Sequence, residues 1–346
     1  MNSLLPASLT LSFSGFSQRG GCTDHHGDGW GIAFFESDGD RPAKAARYFV
    51  DKESAATSPI AAMLRSYPIK SHNVVAHVRR ATVGEVSLEN CHPFVRELWG
   101  RYWVFAHNGD LKDYAPGLHG SFRPVGNTDS ELAFCWLLQE LAKSHAGVPS
   151  VEELSCTLKE LVPRIARFGT FNFLMSNGQA LWAHASTKLY YVLRQHPFSE
   201  VHLKDDDVKV DLADLNGPED RLAIVVTEPL TTNEDWVAMV PGELKVFVDG
   251  TVADCGCYLP HPAPAAAVQG LGDAAEVQSV GADAKDPHAA HAVEGLEDDV
   301  AVLGVEALDI ALVARHQRGR RRHASAASSA STNSAATSQP VCCMIS

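Results

Sequence analysis

Several things are scarce in this chain, and each scarcity narrows what it can do. No apolar run is long enough to span a bilayer, so hydropathy offers no candidate for a spanning helix. Bases are outnumbered: 29 lysines and arginines face 42 acids, a formal charge of −13. A polyanion is repelled by such a surface except at a local basic patch, which excludes broad nucleic-acid binding. The cysteines at 22, 91, 135, 156, 255, 257, 342 and 343 form no CxxC pair and no even, disulfide-like spacing. Reduced thiols in a cytoplasmic compartment are the expectation. The opening MNSLLPASLTLSFSGF has no positive charge ahead of its apolar part and contains Pro6, which argues against a signal peptide. No internal repeat is present.

What is there is enough for a packed core. The 346 residues are 45% apolar, an ordinary content for a globular chain of one large or two small domains. Composition changes near Cys257. Residues 258–346 are rich in Ala, Ser, His and Arg and bury too little apolar surface to offset their ordering entropy. This tail reads as mostly disordered, with one helical spacing of apolar residues at 297–316 that Gly304 weakens.

Within 1–257 strand signals dominate. WGIAFF (30–35), NVVAHV (73–78), YWVFAH (102–107), FNFLMS (171–176), QALWAHAS (179–186), KLYYVL (188–193), LAIVVT (222–227) and ELKVFV (243–248) are short runs rich in β-branched and aromatic residues. Asn177-Gly178 predicts a two-residue hairpin, and Asp249-Gly250 another tight turn. Thr128 with Glu131, and Ser150 with Glu153, predict capping boxes at the starts of two helices. Many antiparallel strands with few helices imply an α+β layered domain.

Polar residues gather at strand ends: Arg19 to Asp28, His77 to Thr82, Asn90 to His92, His107 to Asp110 and Thr128 to Glu131. Histidines 25, 26, 77, 92 and 107 with Asp28 and Asp129 invite a metal-hydrolase reading. The core has no HxH or HExxH, so that reading is weak and no metal is expected. Taken alone, Asn108-Gly109 is an ordinary turn, Arg79 a strand-end arginine and Asp129 a first-turn acid favoured by the helix dipole.

The ordered set is more specific. His77-Val-Arg79-Arg80-Ala-Thr82, then Glu89-Asn90-Cys91-His92-Pro93-Phe94, then His107-Asn108-Gly109, then Asn127-Thr128-Asp129-Ser130-Glu131 resembles the glutamine-binding core of class II (Ntn-type) glutamine amidotransferases. The strings SFSGF, QRGG, HGDGWGI, RELWGRYW and FRPV resemble the YafJ-like branch of that family, from Met1 to about Cys255. The resemblance implies an Ntn-hydrolase-like four-layer αββα sandwich of antiparallel sheets. It implies that Arg79 grips the α-carboxylate of glutamine or a γ-glutamyl compound and Asp129 its α-ammonium. Thr82 and Arg19 would line the pocket, and Asn108 with the Gly109 N–H would form an oxyanion hole. His92 and His107 would be structural, and no cofactor is implied.

The resemblance also implies a nucleophilic cysteine made N-terminal by removal of the initiator Met. Met1-Asn2-Ser3 aligns a few residues past that point, so the nucleophile and the opening strand are expected to be missing and the chain inactive. A start codon assigned to an internal Met is the favoured explanation, ahead of a shortened relative. No synthase domain is legible past 257, which favours a stand-alone amidohydrolase or one with a separate acceptor or synthase subunit. A non-catalytic amino-acid-binding relative is the alternative, a metal-dependent hydrolase the lesser one. Cys343-Met344-Ile345-Ser346 matches a prenylation box, with Cys342 and the arginines at 315, 318, 320, 321 and 322 upstream. A membrane is a partner only if that box is lipidated, and chance is the preferred reading of so short a motif.

Overall fold

The computed structural model describes residues 1–8, 27–36, 43–65, 67, 69–81, 84–204, 209–254 and 256. The tail with its helical spacing and its cysteines therefore lies outside the described residues. The strands in chain order begin with Asn2–Ser8 (β1), Trp30–Phe34 (β2), Arg47–Asp51 (β3), Lys70–Val78 (β4) and Phe94–Glu97 (β5). Tyr102–Asn108 (β6), Asn172–Ser176 (β7), Leu181–Ala185 (β8), Tyr190–Gln195 (β9) and Glu200–His202 (β10) follow. Lys209–Asp211 (β11), Arg221–Val226 (β12), Val237–Ala238 (β13), Glu243–Val248 (β14) and Thr251–Ala253 (β15) complete the set. The helices are Pro59–Arg65 (α1), Asp129–Ser144 (α2) and Val151–Ala166 (α3).

Each predicted strand forms, because β-branched and aromatic runs gain most from a pleated surface that is buried. They assemble into a seven-stranded sheet, β13-β9-β12-β1-β4-β2-β3, and a six-stranded sheet, β15-β14-β8-β7-β6-β5. All registered pairs are antiparallel. One core cluster joins the sheets, with Ile32, Val75, Ala76 and Ile224 from the larger against Val104, Leu174, Ala183 and Phe247 from the smaller. A second cluster packs α2 and α3, through Phe134, Leu138, Leu158 and Ile165, onto Phe105, Phe173 and Trp182. Helix α1 adds Ala61 and Leu64 to the first cluster. The fold is an α+β sandwich of antiparallel sheets.

Four details depart from expectation. The central place in the larger sheet, expected to stand empty, is held by β1, with Asn2 opposite both Ala223 of β12 and Asn73 of β4. Its short run gives little strand signal, and its partners supply the order. The Asn177-Gly178 turn is four residues wide, since Ser176 pairs with Leu181. Only Ser150 and Glu153 close a full capping box. Thr128 accepts from the Glu131 N–H as predicted, but the Glu131 carboxylate turns away to Arg96 and to the N–H groups of Val125 and Gly126 at 3.0 and 2.8 Å. Finally, Cys156 is disulfide-bonded, where reduced thiols were expected. Among the described residues no helix is long and apolar enough to cross a membrane.

A polar bridge crosses between the sheets. The Gly250 N–H, in the β14–β15 turn, donates to Asn2 Oδ1 at 2.7 Å. Asn2 Nδ2 donates to Asn73 Oδ1 at 2.9 Å, and Asn73 Nδ2 to the Gly178 carbonyl at 3.1 Å. Both asparagines are 1% exposed. Truncating either strands a buried donor or acceptor, a loss of about 1–3 kcal/mol. Asn2→Ala is expected to lower the unfolding free energy by about 2 kcal/mol, with Asn2→Ala/Asn73→Ala costing less than the two singles together. Urea denaturation of the three variants checks this; additive losses would refute the bridge.

Candidate functional site

The site is built where β4 and β6 end. Past Val78 the chain leaves β4 as an extended turn that Asp28 fixes. The Asp28 N–H donates to the Arg79 carbonyl at 3.1 Å, and the Arg79 N–H to the Gly29 carbonyl at 2.7 Å. Asp28 Oδ2 accepts from the Ala81 N–H at 2.9 Å. The HGDGWGI string thus ties the β2 entry to the β4 exit. Arg79 is buried, and its Nη1 donates to the carbonyls of Asp28 at 3.4 Å and Glu85 at 3.2 Å.

Asn90 lies under the Glu85 loop. Its Nδ2 donates to the Glu85 carbonyl at 3.0 Å and to Asn127 Oδ1 at 2.8 Å, and its Oδ1 accepts from the Asn127 N–H at 3.0 Å. A Cβ on Gly126 would stand 2.1 Å from Asn90 Oδ1, so a glycine is required there. Three residues on, Asp129 opens α2. Its Oδ2 accepts from the Leu111 N–H at 2.7 Å and its Oδ1 from the Ser130 N–H at 2.8 Å.

Leu111 belongs to the loop that leaves β6 through Asn108-Gly109. Gly109 takes φ +148, and a Cβ there would fall 1.9 Å from the Thr170 carbonyl; only glycine permits that approach. His107 is clamped between Ser130 Oγ at 2.8 Å and the Thr170 carbonyl at 3.0 Å. Asn108 is partly exposed and receives Asn172 Nδ2 at 3.5 Å, the limit of a hydrogen bond.

Hydrogen bonds and short stretches of chain therefore link Arg79, through Glu85, Asn90 and Asn127, to Asp129, and from there through Leu111 to Asn108-Gly109. These four predicted site residues share one end of the sandwich. Arg19 and Thr82 lie outside the described residues. Asp28, Asn90 and Asn127 stand inside strings whose resemblance drew attention, yet residue type alone gives no sign of their bridging role. The required glycines 109 and 126 beside them are the legible clue.

Beneath the loops lies a histidine layer. His92 Nδ1 meets His77 Nε2 at 3.2 Å, and His92 packs edge-on against Phe94. His184 Nδ1 contacts the Phe171 carbonyl at 2.6 Å. Burial holds His92 well below the ordinary imidazole range, aided by its neighbours His77, His107 and Arg79. Burial likewise lowers His107, against the opposing pull of Asp129, and His184. Cys91 and Cys135 are buried thiols pushed up to about 11 by desolvation, which keeps them protonated and poor nucleophiles. Among the described residues no three His, Cys, Asp or Glu side chains converge as a metal site requires.

Comparison with known proteins bears on the same region. The sequence profile described as class II glutamine amidotransferases matches residues 1–269. The YafJ protein of Escherichia coli K12, named as a candidate glutamine amidotransferase, is 44% identical over 251 residues, 72% of this chain and 96% of YafJ. A Haemophilus influenzae Rd protein named in the same way is 44% identical over 250 residues, 72% of this chain and 83% of its own length. The crystal structure of a predicted glutamine amidotransferase from Pseudomonas aeruginosa PA01 superposes with a TM-score of 0.56 at 41% identity, covering 68% of this chain and 91% of that one.

The histidine layer sets a pH dependence. A histidine whose folded-state proton affinity is depressed takes up its proton only on unfolding. The stability it allows is fully present above the unfolded value of about 6.5 and declines as pH falls below it. Between pH 6.5 and 5 the unfolding free energy is expected to fall with acidification. His92→Gln should reduce that slope by roughly 1.4 kcal/mol per pH unit, one proton's worth. Denaturant titrations at pH 5 and 7 check it, and an unchanged slope in the variant would sink the assignment.

Proposed function

The chain belongs to the class II glutamine amidotransferases, and from that premise we propose that it hydrolyses the γ-amide of glutamine or of a γ-glutamyl compound through a cysteinyl thioester. The observation that carries this reading is the single run of contacts joining Arg79, Asp129 and Asn108-Gly109 at one end of the sandwich. A guanidinium and a carboxylate held apart by a fixed framework suit the two charges of an α-amino acid. In this reading Arg79 receives the α-carboxylate and Asp129 the α-ammonium. Thr82 and Arg19 line the remainder of the pocket.

The chemistry follows from the other two residues. A thiolate sulfur attacks the γ-carbonyl carbon, and the carbonyl electron pair moves onto oxygen. Asn108 Nδ2 and the Gly109 N–H stabilise that oxyanion, a contribution of about 3–4 kcal/mol per donor in comparable sites. The nitrogen takes the thiol's proton, relayed by the α-amine of the nucleophile, and leaves as ammonia or an amine. Water then attacks the thioester, releasing a γ-carboxylate and restoring the thiol. Water is the acceptor we favour over a separate synthase subunit.

In this reading the attacking thiol belongs to a segment preceding Met1. Two features support this. β4 continues to Val78 and β12 to Val226 on either side of the point where β1 begins. Asn2 stands opposite Asn73, so each residue added upstream advances one position along β4, and the one opposite Arg79 would lie about five before Met1. Second, the Met1 amine is buried against the Val74 carbonyl at 2.8 Å and pushed down to about 5 by desolvation. That position suits a peptide N–H better than a terminal ammonium.

The test extends the reading frame upstream to a Met-Cys start. The extended protein is expected to release glutamate from L-glutamine and to incorporate one equivalent of a glutamine-like chloroketone. Arg79→Ala should then lower kcat/KM by roughly 10²–10³, mainly through KM, by loss of a charge-assisted pair. An extended protein that binds glutamine yet neither releases glutamate nor takes the label would establish a non-catalytic binding protein instead.

A further inference from the structure

Arg79 and Asp129 come from different layers. Arg79 closes a strand of the seven-stranded sheet, whereas Asp129 opens a helix packed on the six-stranded one. An α-amino acid presents its ammonium and carboxylate on one carbon, so its two receptors must keep a fixed separation. Neither neighbouring sequence nor a shared element enforces that. The side chain that spans the gap is Asn90.

We infer that the carboxamide of Asn90 is a positioning device that sets the separation of Arg79 from Asp129 and so makes the pocket selective for the α-amino acid end of its substrate. This rests on the reading of those two residues as the substrate's charge receptors. Four observations support it. Asn90 is 1% exposed, and its donors reach both sides of the gap. On one side is the Glu85 carbonyl, which also accepts from Arg79 Nη1. On the other is Asn127, held by both its N–H and its side chain, two residues before Asp129. Glycines flank the joint: a Cβ on Gly84 would lie 2.8 Å from Asn127 Oδ1 and 3.1 Å from Asn90 Nδ2, less tight than the 2.1 Å approach at Gly126 but still closer than a Cβ tolerates.

Only a primary amide of this length fits. The position demands two N–H donors on one side and an acceptor on the other. An aspartate of the same shape would set a carboxylate against the Glu85 carbonyl and Asn127 Oδ1, with no donor for either. Glu131 fixes the same loop from beneath, through Val125 and Gly126, so the loop remains folded when Asn90 changes. What is lost is its spacing from Glu85.

The experiment measures binding by calorimetry on the full chain. Three ligands are compared: L-glutamine, 4-carbamoylbutanoate, which lacks the α-ammonium, and 4-aminobutanamide, which lacks the α-carboxylate. Wild type is expected to prefer L-glutamine over both analogues. Asn90→Asp should weaken L-glutamine roughly 10- to 100-fold while changing each analogue less than threefold, because an analogue engages one receptor and does not sense their spacing. Asn127→Ala removes one acceptor at an exposed position and should shift the same ratio in the same direction by a smaller factor. It guards against a variant of Asn90 that fails to fold. Equal weakening of all three ligands, or unchanged L-glutamine binding in both variants, overturns the positioning role and leaves the amidohydrolase reading standing. A wild-type chain that shows no preference for L-glutamine overturns the assignment of Arg79 and Asp129, and this inference with it.

Discussion

Two stacked sheets share a site only if strands from both end at the same edge and stay there, and the buried asparagine bridge is what holds that alignment. Apolar stacking between the sheets is strong but non-directional, so on its own it leaves their sliding weakly restrained. The run from Gly250 through Asn2 and Asn73 to Gly178 is directional. Each of its buried groups has a partner only at one offset of the sheets. It pins the ends of β4 and β7 that lie away from Arg79 and Asn108, and the opposite ends are thereby brought level. Arg101, which donates to the Asn177 carbonyl at 2.8 Å, steadies the same turn from within the six-stranded sheet.

The near edge is held differently. There the loops after β4 and β6 and the start of α2 are fixed by backbone acceptors and donors: Asp28 for Arg79-Arg80-Ala81, Asn90 for the two facing loops, Asp129 for Leu111. Beneath them burial lowers the proton affinity of His92, His107 and His184, which favours their uncharged forms beneath Arg79. The pocket proposed for one ammonium and one carboxylate would gain contrast from such a floor. His92 and His107, which look like metal ligands in the sequence, thus serve as buried packing.

How much of this was legible depends on where the controlling interaction lies. Strands such as LAIVVT and YWVFAH are set by their own side chains and were readable, as was the Ser150 cap. Strand β1 and helix α1 are short and weakly patterned, and long-range partners decide them. The Asn177-Gly178 turn widened because Ser176 and Ala180 close it, with Ser176 Oγ donating to the Ala180 carbonyl at 2.7 Å. At Thr128 the capping signal was half right: the glutamate that should cap is buried and answers to a tertiary partner, Arg96. Arg79, Asn108 and Asp129 could be chosen only because an ordered set of motifs resembles a known family; as single residues each had a bland explanation. Asn90 was beyond reach for a physical reason. Its partners at Glu85 and Asn127 are backbone atoms and a side chain 37 residues away, and a bridging amide leaves no periodic trace.

The contacts already made by Arg79 and Asp129 bear on how the proposed pocket would work. A carboxylate offers about four lone-pair sites, and Asp129 gives one on each oxygen to backbone N–H groups. Those two bonds orient it without exhausting it, and the start of α2 adds its own positive end. A guanidinium carries five donors in a plane, and the carbonyls of Asp28 and Glu85 fix that plane through one nitrogen. Such groups need little reorientation when a ligand arrives, so binding energy is not spent on ordering them. The proposed oxyanion donors share the property: Gly109 is locked by its approach to Thr170, and Asn108 ends a strand whose next residue cannot move. Preorganisation of this kind is what makes dipoles effective against developing charge. It also explains why the framework is built from carbonyls, amides and glycines, whose positions the backbone itself dictates.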